Sequence, residues 1–265
     1  MKIKLFPVLA WLLLLPLLLG VSCDRTTKPE EESYGKLIIK FRHKIDGAAI
    51  SFDTLKYINA AGNHYLVNEI QYFVSDVRLW KDGKDLLLDK YEDIHYVDTD
   101  LPETWNYLFA DPVPAGDYDS ISFVFGITEE KNQSFMFVNP PESYMFWPEY
   151  LGGGYHYLKL NGKWKDTTGI LRPFNFHLGI GQMYDDQGEI TGFVQNYFTV
   201  NLPASFLTVK TEETFEVTLV MNVEKWFEEP HIFDFNYWGG DIMENQAAMQ
   251  VAKENGRNVF SVENN

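Results

Sequence analysis

The chain has 265 residues, 38 of them acidic and 22 basic, with a formal charge of −16 and a sequence pI near 4.7. At 45% hydrophobic and 16% aromatic it can fill a sizeable core, which excludes disordered, collagen-like and coiled-coil classes. A body this acidic, with no basic cluster beyond the extreme N-terminus, repels phosphate backbones, so no nucleic-acid partner is expected.

Lys2 and Lys4 precede an apolar run from Leu5 to Leu19, broken by Pro7 and Pro16, and Gly20-Val21-Ser22 leads to Cys23, the single cysteine. This is the layout of an export signal. Small residues before a lone cysteine resemble a bacterial lipoprotein signal, although Gly20 stands where an aliphatic residue is usual. The expectation is a signal peptide over residues 1–22 and a lipidated Cys23 that attaches the chain to a lipid membrane. The outer membrane is expected, with the periplasmic and cell-surface sides both open. With Cys23 consumed by lipid, the mature chain has neither a disulfide nor a thiolate for metal. Residues 23–34, with Pro29 and Glu30-Glu31-Glu32, read as an acidic solvated tether. Acidic residues after the cysteine also resemble the surface-export signals of Bacteroidetes lipoproteins.

From Gly35 onward no linker-like shift or fixed-period repeat appears, so residues 35–265 read as one domain. The dominant period is two: Ile121, Phe123 and Phe125 face one way, as do Phe215, Val217, Leu219 and Met221. Further strands are predicted at 36–43, 69–80, 86–88, 94–97, 155–160, 174–178 and 192–201, separated by turn clusters such as Lys81-Asp82-Gly83. A helix is predicted from a capping-box-like Asp241 and Glu244, through Met243, Ala247, Met249 and Val251, to a Gly256 C-cap, and a shorter turn over 223–227. The fold class is all-β: a single-domain antiparallel β-sandwich with a C-terminal helix.

The sequence has no Gly-x-Ser-x-Gly elbow, no phosphate-cradling loop and no His-Glu-x-x-His, and catalysis is not expected of it. The Asp-rich stretch 184–189 has the composition of a hairpin turn more than of a calcium loop. Gly152-Gly153-Gly154 reads as a turn, or as a place where a ligand meets the backbone. Four of six histidines fall on predicted strands. His43 shares a face with Leu37, Ile39 and Phe41; His95 alternates with Ile94 and Tyr96; His156 shares a face with Leu158 and Leu160; His177 lies opposite Phe174, Phe176 and Leu178. Neutral imidazole suits copper, zinc or nickel, and converging strands can assemble a site without a local motif; a structural histidine is the alternative for each. His64 and His231 read as loop-borne. The most distinctive segment is aromatic, Met145-Phe146-Trp147 through Gly154-Tyr155-His156 to Lys159-Leu160-Asn161-Gly162, which reads either as a plug for the sandwich or as a platform for sugar.

Taken in order, several segments resemble the MbnP-like family, relatives of a periplasmic protein associated with methanobactin operons and of copper-repressible methanotroph surface proteins. They are Phe41-Arg42-His43-Lys44-Ile45-Asp46-Gly47, Tyr57 to Asn63, Tyr72 to Leu79 with Asp82-Gly83, and Val113 to Tyr118. They continue with Phe125-Gly126-Ile127, Met145-Phe146-Trp147 with Gly154-Tyr155, Phe176-His177-Leu178-Gly179, and Ile242-Met243 with Asn255 and Val259-Phe260. The resemblance implies copper as cofactor, held by histidines and by a kynurenine made from tryptophan, with a dihaem cytochrome c peroxidase-like enzyme as the partner that oxidises it. On this chain it points to Trp147 as the modified tryptophan and His177 as the leading ligand, with His43 and His156 as weaker ones; His95, on its predicted strand, is a further metal candidate from the histidine pattern alone. Glu149 stands where the methanotroph segment has a second tryptophan; if that second position is the one oxidised, the kynurenine is lost. The alternative is an outer-membrane lipoprotein that keeps the scaffold and binds a glycan or a protein without metal.

Overall fold

The computed structural model describes residues 32–90 and 93–263, with side chains left aside at 204–206. The expected signal peptide, Cys23 and most of the acidic tether lie outside the described residues. Strands take up 48% of the structure and helices 14%, in open sheets that form a sandwich, as the period-two pattern predicts. The larger sheet runs in the order Leu171–Leu178, Leu158–Lys165, His64–Lys81, Gly116–Phe125, Phe198–Val209. The smaller runs Phe260–Glu263, Thr214–Asn222, Tyr34–Ile45, Ala48–Ala49. One pairing inside it, Tyr34–Ile45 with Thr214–Asn222, is parallel, from Lys36 opposite Thr214 to Lys44 opposite Asn222. Strands so far apart in sequence are not bound to hairpin geometry.

The alternating residues do face the core, but the opposite face is covered too. In Gly116–Phe125, Ser122 and Val124 are buried alongside Ile121, Phe123 and Phe125. On the 18-residue central strand Tyr72, Phe73 and Val74 are all fully buried. Tyr72 points between the sheets, where Phe41, Phe125 and Phe260 surround it. Phe73 points outward, onto Phe137 and Tyr155 from the long connection after Phe125. That connection is a third layer over one end of the larger sheet, and the candidate site lies beneath it.

Several predicted boundaries shift for packing reasons. The helix begins at Gln246, not Asp241: Asn245 caps it, accepting from the Ala248 amide at 3.1 Å, while fully buried Ile242 holds the preceding residues against the sheet. Gly256 is its last residue and not its cap; a β-carbon there would sit 2.3 Å from Phe198, so the helix docks because that position has none. The 223–227 turn is a 3-10 helix as predicted. The 192–201 prediction splits into Ile190–Val194 and Phe198–Val209; between them the fully buried Asn196 side chain donates from Nδ2 to Gly179 O and Gln246 Oε1, both at 3.0 Å. His64 opens the central strand where a loop was expected, whereas His231 is on a loop, paired with Glu254. The Asp-rich 184–189 stretch is a hairpin turn: one Asp185 carboxylate oxygen accepts from the Gln187 and Glu189 amides, both at 2.9 Å.

Candidate metal centre

The site is built by a small hairpin inside the long connection. Trp147 N donates to Gly154 O at 2.8 Å and His156 N to Met145 O at 2.7 Å, closing Met145–Trp147 against Gly154–His156. The chain reverses through Gly152, Gly153 and Gly154, whose φ values of 119°, 71° and 75° lie where a side chain is strained. The turn is pinned, not a free ligand perch: Asn132 Oδ1 accepts from Tyr155 N at 2.9 Å and Ser134 Oγ from Gly154 N at 2.8 Å. Its effect is to set Trp147 and His156 side by side, ring centroids 4.6 Å apart and edge to face.

The second histidine comes from the neighbouring strand. His177 lies opposite Phe174, Phe176 and Leu178, as the alternation predicts, and its ring meets that of His156 at 5.1 Å and 86°. His156 therefore does not share the core face of Leu158 and Leu160; it precedes that strand, which begins at Leu158 and not Tyr155, and turns to the opposite face. Gly179 makes room for the indole, since a β-carbon there would fall 2.6 Å from Trp147 Cε3. Trp147 is fully buried and donates its Nε1–H to Leu151 O at 3.1 Å. Glu149 is exposed, at the turn beside Gly153.

The hydrogen bonds assign the protons. His156 Nδ1 lies 2.9 Å from Met145 O, and a carbonyl only accepts, so Nδ1 carries the hydrogen. His177 Nε2 lies 2.7 Å from Asn161 Oδ1 and donates likewise. The remaining nitrogens, His156 Nε2 and His177 Nδ1, are buried with no hydrogen-bond partner. Burial pushes the His177 imidazole down to about 3 and that of His156 well below the ordinary value; the nearby Lys159 ammonium adds to both, and the other ring adds to His156. Lys159 is itself lowered by burial and donates to Tyr144 O at 2.5 Å. Two neutral imidazoles thus present bare lone pairs in a dry, aromatic-walled place. Such lone pairs lack a protein donor and fit a soft or borderline late metal. Among the described residues no three His, Cys, Asp or Glu side chains converge on a common point, so the protein supplies two nitrogens of this kind and the Trp147 ring.

His43 and His95 stand apart from this pair. His43 Nε2 is 3.2 Å from Tyr72 OH and its ring packs edge to face with Tyr72 and Trp105. His95 Nε2 bonds Thr104 O at 2.8 Å, its ring stacked on Tyr107 at 4.3 Å and on Phe41 at 5.8 Å. Neither has a buried nitrogen without a partner. Asn161, Lys159 and Met145 fall within the distinctive 145–162 segment, but its sequence assigns them no role at the pair; Asn161 follows directly on the strand predicted at 155–160.

Fold and site together define an all-β sandwich whose polar centre is an imidazole pair under an aromatic loop. The chain belongs to the MbnP family, whose profile matches residues 34–245. It is similar in fold to MbnP from Methylosinus trichosporium, at 15% identity and a TM-score of 0.54, over 86% of this chain and 97% of that one. No curated protein matches the sequence.

Proposed function

We propose that this protein is an envelope lipoprotein, not an enzyme, that binds copper between His156 and His177, with Trp147 as the residue whose oxidation product would complete the site. One observation carries the reading: a buried and a half-buried imidazole, each with its N–H tied to an acceptor, leave inaccessible, unpartnered nitrogens at adjoining rings beside a fully buried tryptophan. Family membership agrees with it. Neutral nitrogen donors with neither a carboxylate nor a thiolate beside them fit Cu(I), a cation that tolerates few ligands. Burial keeps the imidazoles unprotonated, with the Lys159 ammonium adding to it, and the Gly152–Gly154 turn holds Trp147 at His156. Trp147 is the indole packed edge to face on His156, so it is the position at which oxidation by a dihaem partner enzyme would add a ligand beside the pair.

The test is Cu(I) titration against a competing chelator, with mass spectrometry of the Trp147 peptide from the native host. Tight one-to-one binding that is lost in His177→Ala is expected; unchanged affinity in that variant overturns the proposal. A mass gain on Trp147 would supply the kynurenine and the partner. Lipid on the Cys23 peptide would establish the anchor.

A second reading rests on exposed aromatic surface. Phe135, Tyr144 and Tyr150 are largely solvent-exposed on the same long connection, as a glycan- or protein-binding face requires. Trp147 is too deeply buried to stack on sugar. Binding in a glycan array or pull-down that survives chelation and fails in Tyr144→Ala with Tyr150→Ala would favour this reading.

A further inference from the structure

His156 has its tautomer fixed by a backbone carbonyl, which cannot change roles. His177 has no such fixture. Its Nε2 faces the side-chain amide of Asn161, a group that donates at one end and accepts at the other. Which end meets His177 decides which imidazole nitrogen keeps the lone pair.

The next residue along answers the question. Asn161 Nδ2 lies 2.7 Å from Glu69 Oε1, directly across the ladder on the central strand. An ionised carboxylate only accepts, so the amide must present its NH2 to Glu69 and its oxygen to His177. His177 then donates from Nε2 and leaves Nδ1 bare, on a ring that meets His156 edge to face at 5.1 Å. The backbone has been adjusted at this point: the register between the strands slips between Asn161 and Gly162, and a β-carbon on Gly162 would fall 2.2 Å from Leu66 O. Bulges of this kind re-aim a side chain.

We propose that Glu69 and Asn161 are positioning residues that hold His177 as its Nε2–H form and aim Nδ1 at His156, an inference that rests on the copper reading for its purpose but not for its geometry. Neither residue touches the metal position. Their role is that of the outer hydrogen-bond partners which orient imidazole ligands and whose loss costs about 10–100-fold in metal affinity.

The test uses the metal-free protein first. Long-range 15N NMR of the imidazoles should show His177 in one form, protonated at Nε2. Glu69→Gln is nearly isosteric and replaces an acceptor-only group with one that fits either orientation of Asn161; His177 should then populate both forms. The double variant Glu69→Gln with Asn161→Asp restores an acceptor-only group facing His177 and a donor behind it, and should restore the single form. Cu(I) affinity by chelator competition should follow: weaker in Glu69→Gln in proportion to the His177 left in the Nε2–H form, about twofold where the two forms are equally populated, and recovered in the double variant. A wild-type His177 protonated at Nδ1, or a Glu69→Gln variant that keeps the single Nε2–H form, overturns the relay. Forms that change as expected in a wild-type protein that binds no copper support the relay and sink the copper reading alone.

Discussion

The two groups of buried histidine in this sandwich are made of similar parts. His43 and His177 are both pushed down to about 3, chiefly by burial, and each has an aromatic neighbourhood. The difference is in the nitrogen inventory. Around His43 and His95 the rings serve as packing, one bonded to Tyr72 and the other stacked on Tyr107. Around His156 and His177 each ring has one nitrogen tied and one buried without a partner. A depressed histidine is therefore no sign of a metal site by itself; the location of the unpaired lone pairs separates ligand from core.

The largest effect that tests this distinction is on copper affinity. His156→Ala and His177→Ala should each weaken Cu(I) binding about 10²-fold or more, beyond the loss expected for an outer-shell residue. His43→Gln and His95→Gln should leave it within about twofold, since they share no partner with the site. Chelator competition on the four variants decides it, and a His43 effect equal to that of His177 would break the comparison. Next is Gly154→Ala, which puts a β-carbon 2.6 Å from Asn132 at a φ of 75°. It should cost about 1–3 kcal/mol in denaturant unfolding and weaken copper binding as Trp147 and His156 separate.

His95→Ala should show the reverse split, losing about 1–2 kcal/mol of stability with its stack and hydrogen bond while copper affinity is unchanged. The smallest effect is in protons. Stability that comes from keeping these imidazoles neutral is fully present above the ordinary value near 6.5 and is lost as pH falls toward about 3, in both regions alike. Copper binding at pH 6 should therefore release almost no protons, against about 1.5 for two imidazoles of ordinary pKa. Calorimetry in buffers of different ionisation enthalpy measures the number.

Strand faces were legible from the sequence where the period of two was clean. His43 does share the core face of Leu37, Ile39 and Phe41, and His177 does lie opposite Phe176 and Leu178. His156 leaves the face that the predicted 155–160 strand gives it, because that strand starts three residues later than the alternation implies. The backbone there serves the three-glycine turn and the bridge from Tyr155 to Phe146, so the strand cannot begin until Leu158. The helix start erred for a related reason: Asp241 and Glu244 have capping chemistry, but buried Ile242 outweighs it.

What the sequence alone determined is the class of fold, the parity of its strands and the residue types available for a site: imidazole and indole, with a single cysteine near the N-terminus. These are local properties, set by side-chain period and composition. Only the tertiary structure decided which histidines meet, that Gly179 admits Trp147, and that Asn161 and Glu69 stand behind His177. Those contacts join residues far apart in the chain through strand register and one bulge, and no local spacing encodes a register between distant strands.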